Sequence, residues 1–302
     1  MAEKIKLIVI CGWGRSGSTI LGSVLGELPG FFFGGEMRNL WNRVLLDNKI
    51  CGCNKPIKEC DFWTKVLKNG NIENVDPVEM NNLLMKYTRT RHTPLFLFPQ
   101  AKKFFSEKLK DYLKNLESFL YSVKEVSGCK VIVDSSKSPT HAFILSLIPS
   151  IDLTVIHLIR DPRGVSYSRT KVKYHRPEEE MKRFNSAMSA FVWMIKNLSA
   201  EIMLKNKCNF IRIKYEDAIQ NPHATIEKIL KAADVKDIHI PISSDNEIEL
   251  TPNHVMWGNP NRFNTGKVHL KLDEEWKQKM NAKDKFFSTA ISFPLLKKYG
   301  YK

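Results

Sequence analysis

Eight residues near the start of the chain have the composition of an anion cradle: Gly12-Trp13-Gly14-Arg15-Ser16-Gly17-Ser18-Thr19. They follow a short β-branched apolar run, residues 5–11, that suits a buried parallel strand. Apolar residues at 20, 21, 24, 25 and 28 then keep helical spacing. In such a strand–turn–helix the turn's backbone N–H groups and the helix N-terminus both point at a bound anion. The spacing matches G-x-x-x-x-G-K-[ST], except that Ser18 stands in the lysine position. That lysine normally reaches the β- and γ-phosphates of a nucleoside triphosphate. Here the cation sits inside the loop, at Arg15. The loop suits a phosphate, and it argues against a triphosphate with magnesium.

Two later strand ends carry basic residues. Lys130-Val131-Ile132-Val133-Asp134 reads as a strand, the polar turn at 135–139 holds Lys137, and a helix is expected over 140–147. Residues 153–159 form the most regular apolar strand, ended by Arg160-Asp161-Pro162-Arg163-Gly164, with a helix from Val165. Ser168 lies eight residues past Arg160 on that helix. Arginine offers a planar fork to phosphate and serine a further donor. Carboxyl ends of parallel strands are where open α/β sheets bind ligands. His157, inside the apolar run, reads as a core histidine. Glu36 follows an aromatic run and two glycines, 21 residues beyond Arg15, at the start of a helix expected over 36–46.

Cys51, Cys53 and Cys60 cluster as C-x-C-x6-C in a turn-rich segment. Three thiols hold a metal only with a fourth ligand from elsewhere, and a disulfide within the cluster is open too. A local structural role is the favoured reading. Cys11, Cys129 and Cys208 sit in strand-like contexts as buried thiols.

The elements that must position these residues alternate. Beyond the units above, Asp76-Pro77 opens a helix as cap and first-turn proline. Residues 100–126 read as one amphipathic helix with Phe104, Phe105, Leu109, Tyr112, Leu113, Leu116, Leu120 and Val123 near one face. A long helix is expected over 177–206, a strand over 209–213 and a helix near 222–233. Such alternation implies right-handed crossovers and a parallel sheet. Residues 250–267, rich in Pro, Gly and Asn, are expected to form no regular element, with Arg262 and Lys267 able to reach an anion. Helices over 273–280 and 286–297 close the chain.

The chain has 302 residues and a formal net charge of +15, which favours anionic partners. The basic residues are spread out, with no aromatic-interleaved basic tract, which argues against nucleic acid. No apolar window approaches a membrane span, no signal peptide is visible, and the cysteines form no disulfide framework. The expectation is a cytoplasmic globular enzyme.

Gly14-Arg15-Ser16-Gly17-Ser18-Thr19 and Arg160-Asp161-Pro162-Arg163 with Ser168 resemble, in this order and each after a strand, the two signatures of sulfotransferases. The resemblance continues through Lys137, Tyr215-Glu216-Asp217 with Asn221-Pro222, and the loop 258–266, while residues 51–63 look like a segment recurring in bacterial and related members. It implies an α/β fold of P-loop NTPase-like sulfotransferase architecture. In that architecture a central, mostly parallel sheet is flanked by helices, one domain spans 1–302, and 60–126 is a helical insertion or lid within it. The implied donor is 3′-phosphoadenosine 5′-phosphosulfate, with no metal required. Gly14, Arg15, Ser16, Gly17, Ser18 and Thr19 would hold its 5′-phosphosulfate, and Arg160 and Ser168 its 3′-phosphate. Tyr215 matches a tyrosine lining the adenine pocket of tyrosylprotein sulfotransferases. Asn259, Arg262, Thr265 and Gly266 match a late segment that closes on the nucleotide. Lys137 matches a lysine near the transferring sulfuryl group, and Glu36 the glutamate base of the tyrosylprotein type. The implied catalytic residues are thus Glu36, Lys137 and Arg15.

Cytosolic small-molecule sulfotransferases place a histidine base two residues after the matching lysine, where this chain has Pro139. His141 falls on the next helix, so Glu36 is preferred as base. Carbohydrate, lipid, small molecule and protein tyrosine remain open as acceptors. The competing readings are a phosphoryl-transferring P-loop kinase or NTPase, which Ser18 opposes, and a non-catalytic anion-binding module.

Overall fold

The structure is a computed structural model that describes residues 4–172, 174–176, 179–180 and 183–302. The apolar run at the N-terminus forms β1 (Ile5–Gly12), and the glycine-rich loop leads into α1 (Ser18–Gly26). The aromatic run forms the edge strand β2 (Phe31–Gly35). The helix expected over 36–46 is a 3-10 turn at Met37–Asn39 followed by a π-helical segment at Leu40–Leu46, a rare form that recurs near functional sites.

A helical layer follows: α2 (Asp61–Asn69), α3 (Pro77–Tyr87), α4 (Ala101–Lys108) and α5 (Lys110–Ser127). Asp76 caps α3 by accepting from the N–H of Val78, with Pro77 in the first turn. The single helix expected over 100–126 is two helices. Leu109 leaves the helical region (φ −114°, ψ 19°) and is itself fully buried. The break seats Phe105, Leu109, Tyr112, Leu116, Leu120 and Val123 in the core and turns Phe104 outward.

Then come β3 (Val131–Lys137), α6 (Pro139–Leu145), β4 (Ile151–Ile159) and α7 (Pro162–Thr170). β5 (Tyr174–Arg176) and β6 (Glu179–Glu180) form an antiparallel ribbon. The helix expected over 177–206 is α8 (Ser186–Leu204), with 179–180 in β6; positions 177–178 and 181–182 of that expectation lie outside the described residues. β7 (Asn209–Lys214), α9 (Tyr215–Gln220) and α10 (Pro222–Ala232) complete the alternating part.

Residues 250–267 are more regular than their composition implies. β8 (Glu247–Leu250) pairs antiparallel with β9 (Gly266–His269), and Pro260–Phe263 is a 3-10 turn. Asn259 accounts for that turn by accepting from the N–H of Asn261, ahead of Pro260 at the first position. α11 (Glu275–Lys279) and α12 (Ala282–Lys298) end the chain.

The main sheet is parallel, with order β2-β3-β1-β4-β7. β1 is buried on both faces. Ile5, Leu7, Val9 and Cys11 face a core shared with Trp63, Phe105, Tyr112 and Phe119, while Ile8 and Ile10 face Leu21, Val24, Ile226 and Ile229. β3 and β4 flank β1, so the carboxyl ends of all three open on one crevice at the point where the strand order reverses.

Candidate active site

The glycine-rich loop bends through two positions that only glycine occupies without cost. Gly12 (φ 146°) and Gly17 (φ 85°) have positive φ. A Cβ at Gly12 would stand 2.4 Å from the carbonyl oxygen of Leu158, and one at Gly17 2.4 Å from the ring of Tyr215. Arg15 is also left-handed (φ 74°), a backbone conformation that recurs in anion-binding nests. Ser16 Oγ is buried with no hydrogen-bond partner among the described residues, a donor already aimed inward.

Arg160 closes the loop from the next strand. Its guanidinium donates to the carbonyl of Arg15 (3.0 Å) and to Asp273, through the carbonyl (2.8 Å) and the carboxylate (3.0 Å). It also lies 4.4 Å from the ring centroid of Tyr215, whose hydroxyl accepts from the Asp273 N–H. Burial raises the Tyr215 phenol. Burial also acts to raise the Asp273 carboxyl, but Arg160 outweighs it and holds the group low. Asp161 caps α7 through the N–H of Arg163, with Pro162 behind it, which fixes the turn between Arg160 and the buried Ser168.

Glu36 and Lys137, far apart in sequence, meet in space. Lys137 Nζ lies 2.5 Å from Glu36 Oε1 and also donates to the Ser135 carbonyl (3.1 Å); Asn39 donates to Glu36 Oε2 (3.2 Å). The pair is set by a residue that the motifs do not contain. Asp134, buried at the end of the apolar run of β3, accepts from the N–H groups of Met37 (3.3 Å) and Ser136 (2.7 Å) and from the Ser136 hydroxyl. Ser136 Oγ in turn accepts from the N–H of Arg38 (3.0 Å). The segment carrying the carboxylate is thereby laced to the segment carrying the lysine. His141 is held in the same web, its Nε2 3.1 Å from Asp134 Oδ2 and its ring buried. A carboxylate ending an otherwise apolar parallel strand was the available signal for Asp134.

The cleft in front of the pair, about 370 Å³, is lined by Trp13, Gly14, Arg38, Thr88, Arg89, Ser136, Lys137, Ser138, Arg169 and Lys196. Arg38, Arg169 and Lys196 were not singled out by any spacing. Arg169 stacks on Trp13 (4.5 Å), and its terminal nitrogen would stand 2.2 Å from a Cβ at Gly14. Burial, reinforced by Arg15, pushes Arg169 down to about 10. Burial, with Arg38 beside it, pushes Lys196 down to about 8, and burial lowers Arg15 and Arg38 as well. Cations desolvated this close together are stabilised by an anion between them.

The late segment is differently employed. Arg262 is buried and donates to the carbonyls of Gly258 (2.8 Å) and Ile50 (3.3 Å). Its guanidinium thus braces the loop from within. Asn259 caps the 3-10 turn that follows, while Thr265 is exposed and Gly266 (φ 81°) starts β9. His157 is buried in β4 on Asn197 Oδ1 (2.8 Å) and away from the cleft, as a core histidine would be.

The profile of the sulfotransferase family matches residues 8–238. Among solved structures the fold is similar to the sulfotransferase domain from the Synechococcus PCC 7002 olefin synthase, at 17% identity and a TM-score of 0.56, over 100% of this chain and 97% of that one. It is also similar to the sulfotransferase domain from the curacin biosynthetic pathway, at 15% identity and a TM-score of 0.52, over 100% and 99% of the two chains. No curated protein matches the chain by sequence. No helix among the described residues is long and apolar enough to cross a membrane.

Proposed function

Because this chain belongs to the sulfotransferase family, we propose that it moves the sulfuryl group of 3′-phosphoadenosine 5′-phosphosulfate in line to a hydroxyl or amine acceptor, with Glu36 as the base. The observation that carries this reading is one convergence. Arg160 donates to the Arg15 carbonyl, and Lys137, which pairs with Glu36, lines a cleft that also includes Gly14 of the loop. The loop suits a phosphosulfate: Gly12, Arg15 and Gly17 all have positive φ, Ser16 Oγ lacks a partner, and the side-chain-free Gly14 leaves room for the Arg169 guanidinium.

When bound, the donor supplies an activated sulfuryl group on a phosphate leaving group. The N–H groups of residues 14–19 and the Arg15 guanidinium hold the 5′-phosphosulfate, while Arg160 and Ser168 hold the 3′-phosphate. Tyr215, stacked under Arg160, keeps that guanidinium in place and borders the adenine. Lys137 Nζ holds Glu36 Oε1 in place, where the carboxylate can accept the acceptor's proton. The same ammonium balances negative charge in the cleft. Less charge develops in sulfuryl than in phosphoryl transfer, so arginine and lysine serve where a triphosphate would need magnesium. The segment 60–126 belongs to a single domain 1–302, and its reach into the cleft through Thr88 and Arg89 supports a role for it as an acceptor-selecting insertion. Its cysteines, all unpaired among the described residues, suit a reducing cytoplasm.

The test is incubation of the purified chain with labelled donor and fractionated host extract, alongside calorimetry with the desulfated nucleotide. Transfer of label to an extract fraction supports the reading. A chain that neither binds nor turns over the donor overturns it, and magnesium-dependent ATP turnover would replace it with a kinase.

A further inference from the structure

Cys51, Cys53 and Cys60 converge on a fourth side chain from nearly two hundred residues away, His254. Their ligand atoms all lie within 4.8 Å of one another. The Cys53–Cys60 and Cys60–Cys51 Sγ separations are 3.6 and 3.7 Å, and His254 Nδ1 is 3.3 Å from Cys60 Sγ and 3.7 Å from Cys51 Sγ. A tetrahedral zinc ion with Zn–S bonds of about 2.3 Å and a Zn–N bond of about 2.0 Å has ligand–ligand edges of about 3.5–3.8 Å. We propose that these four side chains form a closed, structural zinc(II) site.

The local fold brings the three sulfurs together. Cys51 and Cys53 flank a tight turn in which the N–H of Asn54 donates to the Cys51 carbonyl (2.9 Å) and Asn54 takes a left-handed φ of 66°. Cys60 is the N-cap of α2, where the helix dipole favours a negative sulfur. His254 is fixed from both sides. Its ring stacks on Phe62 (4.8 Å, 12°), and its carbonyl accepts from Trp63 Nε1 (2.8 Å). Gly52 permits the approach, since a Cβ there would stand 2.0 Å from Asn253 Oδ1. A disulfide would use two of these sulfurs and leave the third sulfur and the imidazole without a purpose. Three sulfurs and one imidazole nitrogen are the donors of structural zinc, and with four protein ligands no position is open for catalysis.

The ion would join the 51–63 hairpin to the start of the late segment. Three residues past His254, the Trp257 carbonyl accepts from the N–H of Glu36 (2.8 Å), and Gly35 bridges to Trp257. The site is therefore a brace behind the carboxylate, held apart from the reacting groups.

The experiment uses the full chain purified without a metal column. Elemental analysis should find about one zinc per chain, and cobalt(II) put in its place should show thiolate-to-metal charge-transfer absorption. Zinc competition against a chromophoric chelator should show that Cys60→Ser and His254→Gln each bind at least about 100-fold more weakly, since loss of an outer partner alone costs 10–100-fold. His254→Cys, which rebuilds a four-thiolate site, should retain the ion and its thermal stability, so the proposal stays testable if Cys60→Ser does not fold. A chain that carries no zinc and takes none up after reduction overturns the proposal. So does a native disulfide among Cys51, Cys53 and Cys60 found by mass spectrometry.

Discussion

On the proposed reading the cleft has a donor end and a transfer end, and the two are built by different means. The donor end is a stretch of eight residues, 12–19, whose chemistry lies in its backbone: two positive-φ glycines, a left-handed arginine and a helix start. Arg160, a distant partner, follows directly on the neighbouring strand in fixed register, with Gly12 of β1 opposite Leu158 of β4. The transfer end is a set of side chains from three places in the chain, held by hydrogen bonds that converge on Asp134 and on the Trp257 carbonyl. A backbone cradle is spoiled by changing its shape. A side-chain assembly is spoiled by removing a partner, even one that touches no substrate.

The largest expected effect tests whether the two ends are separable. Glu36→Gln keeps the bulk of the side chain and removes the base, so turnover should fall ~10²–10⁴-fold while the desulfated nucleotide binds as in the wild type. Wild-type turnover would remove Glu36 from the mechanism, and lost nucleotide binding would show that the ends are one structure. Next is Asp134→Ala. It strands the buried N–H groups of Met37 and Ser136 together with the His141 ring, and should cost roughly 3 kcal/mol in urea unfolding. Asp134→Asn keeps an acceptor for both N–H groups and should cost about 1 kcal/mol. If both variants unfold alike with the wild type, the lacing is incidental.

This contrast also explains what could be read from the sequence. The donor loop was legible because glycine spacing encodes backbone shape directly, and β1, β3, β4 and β7 were legible as apolar runs. Arg160 followed, since a residue just past a strand has only one place to be; Lys137, expected in a polar turn at 135–139, instead ends β3, paired with Cys11 of β1. Arg38, Arg169 and Lys196 reach the cleft from helical segments, where a cation looks like any solvated one until the packing is known. Arg262 shows the reverse case: the sequence placed it in a late loop fit to meet an anion, whereas the structure sets it on two carbonyls. Leu109 was misjudged because an apolar residue in phase with a helix gives no sign of the break that seats it. The fourth member of the cysteine cluster was out of reach, because nothing near His254 in sequence points back to Cys51.

A smaller effect sharpens the donor end. Arg160→Ala should weaken binding of the desulfated nucleotide roughly 10- to 100-fold, the worth of a charge-assisted pair. It should leave adenosine 5′-phosphosulfate, which lacks the 3′-phosphate, almost unaffected. Equal losses for both ligands would mean that Arg160 acts only by holding the Arg15 carbonyl.

The smallest effect is a pH dependence confined to the donor side. His157 lies on β4 opposite Cys11 of β1, three residues before Arg160. The Asn197 amide donates to the Trp193 carbonyl (2.8 Å), so its oxygen faces His157 Nε2 and fixes the neutral tautomer. Nδ1 is buried with no hydrogen-bond partner among the described residues. Burial therefore pushes His157 from 6.5 down to about 4. Between those values the unfolded chain carries a proton that the folded chain refuses, so stability is full above pH 6.5 and is lost as pH falls toward 4. From pH 7 to 5.5 the loss is about 1.2 kcal/mol. Urea unfolding of the wild type and His157→Gln at both pH values isolates it, since the variant keeps a donor to Asn197 but cannot titrate. An equal drop in the two proteins would assign the acid sensitivity to carboxylates, whereas a drop that disappears in the variant places it in the strand that carries Arg160.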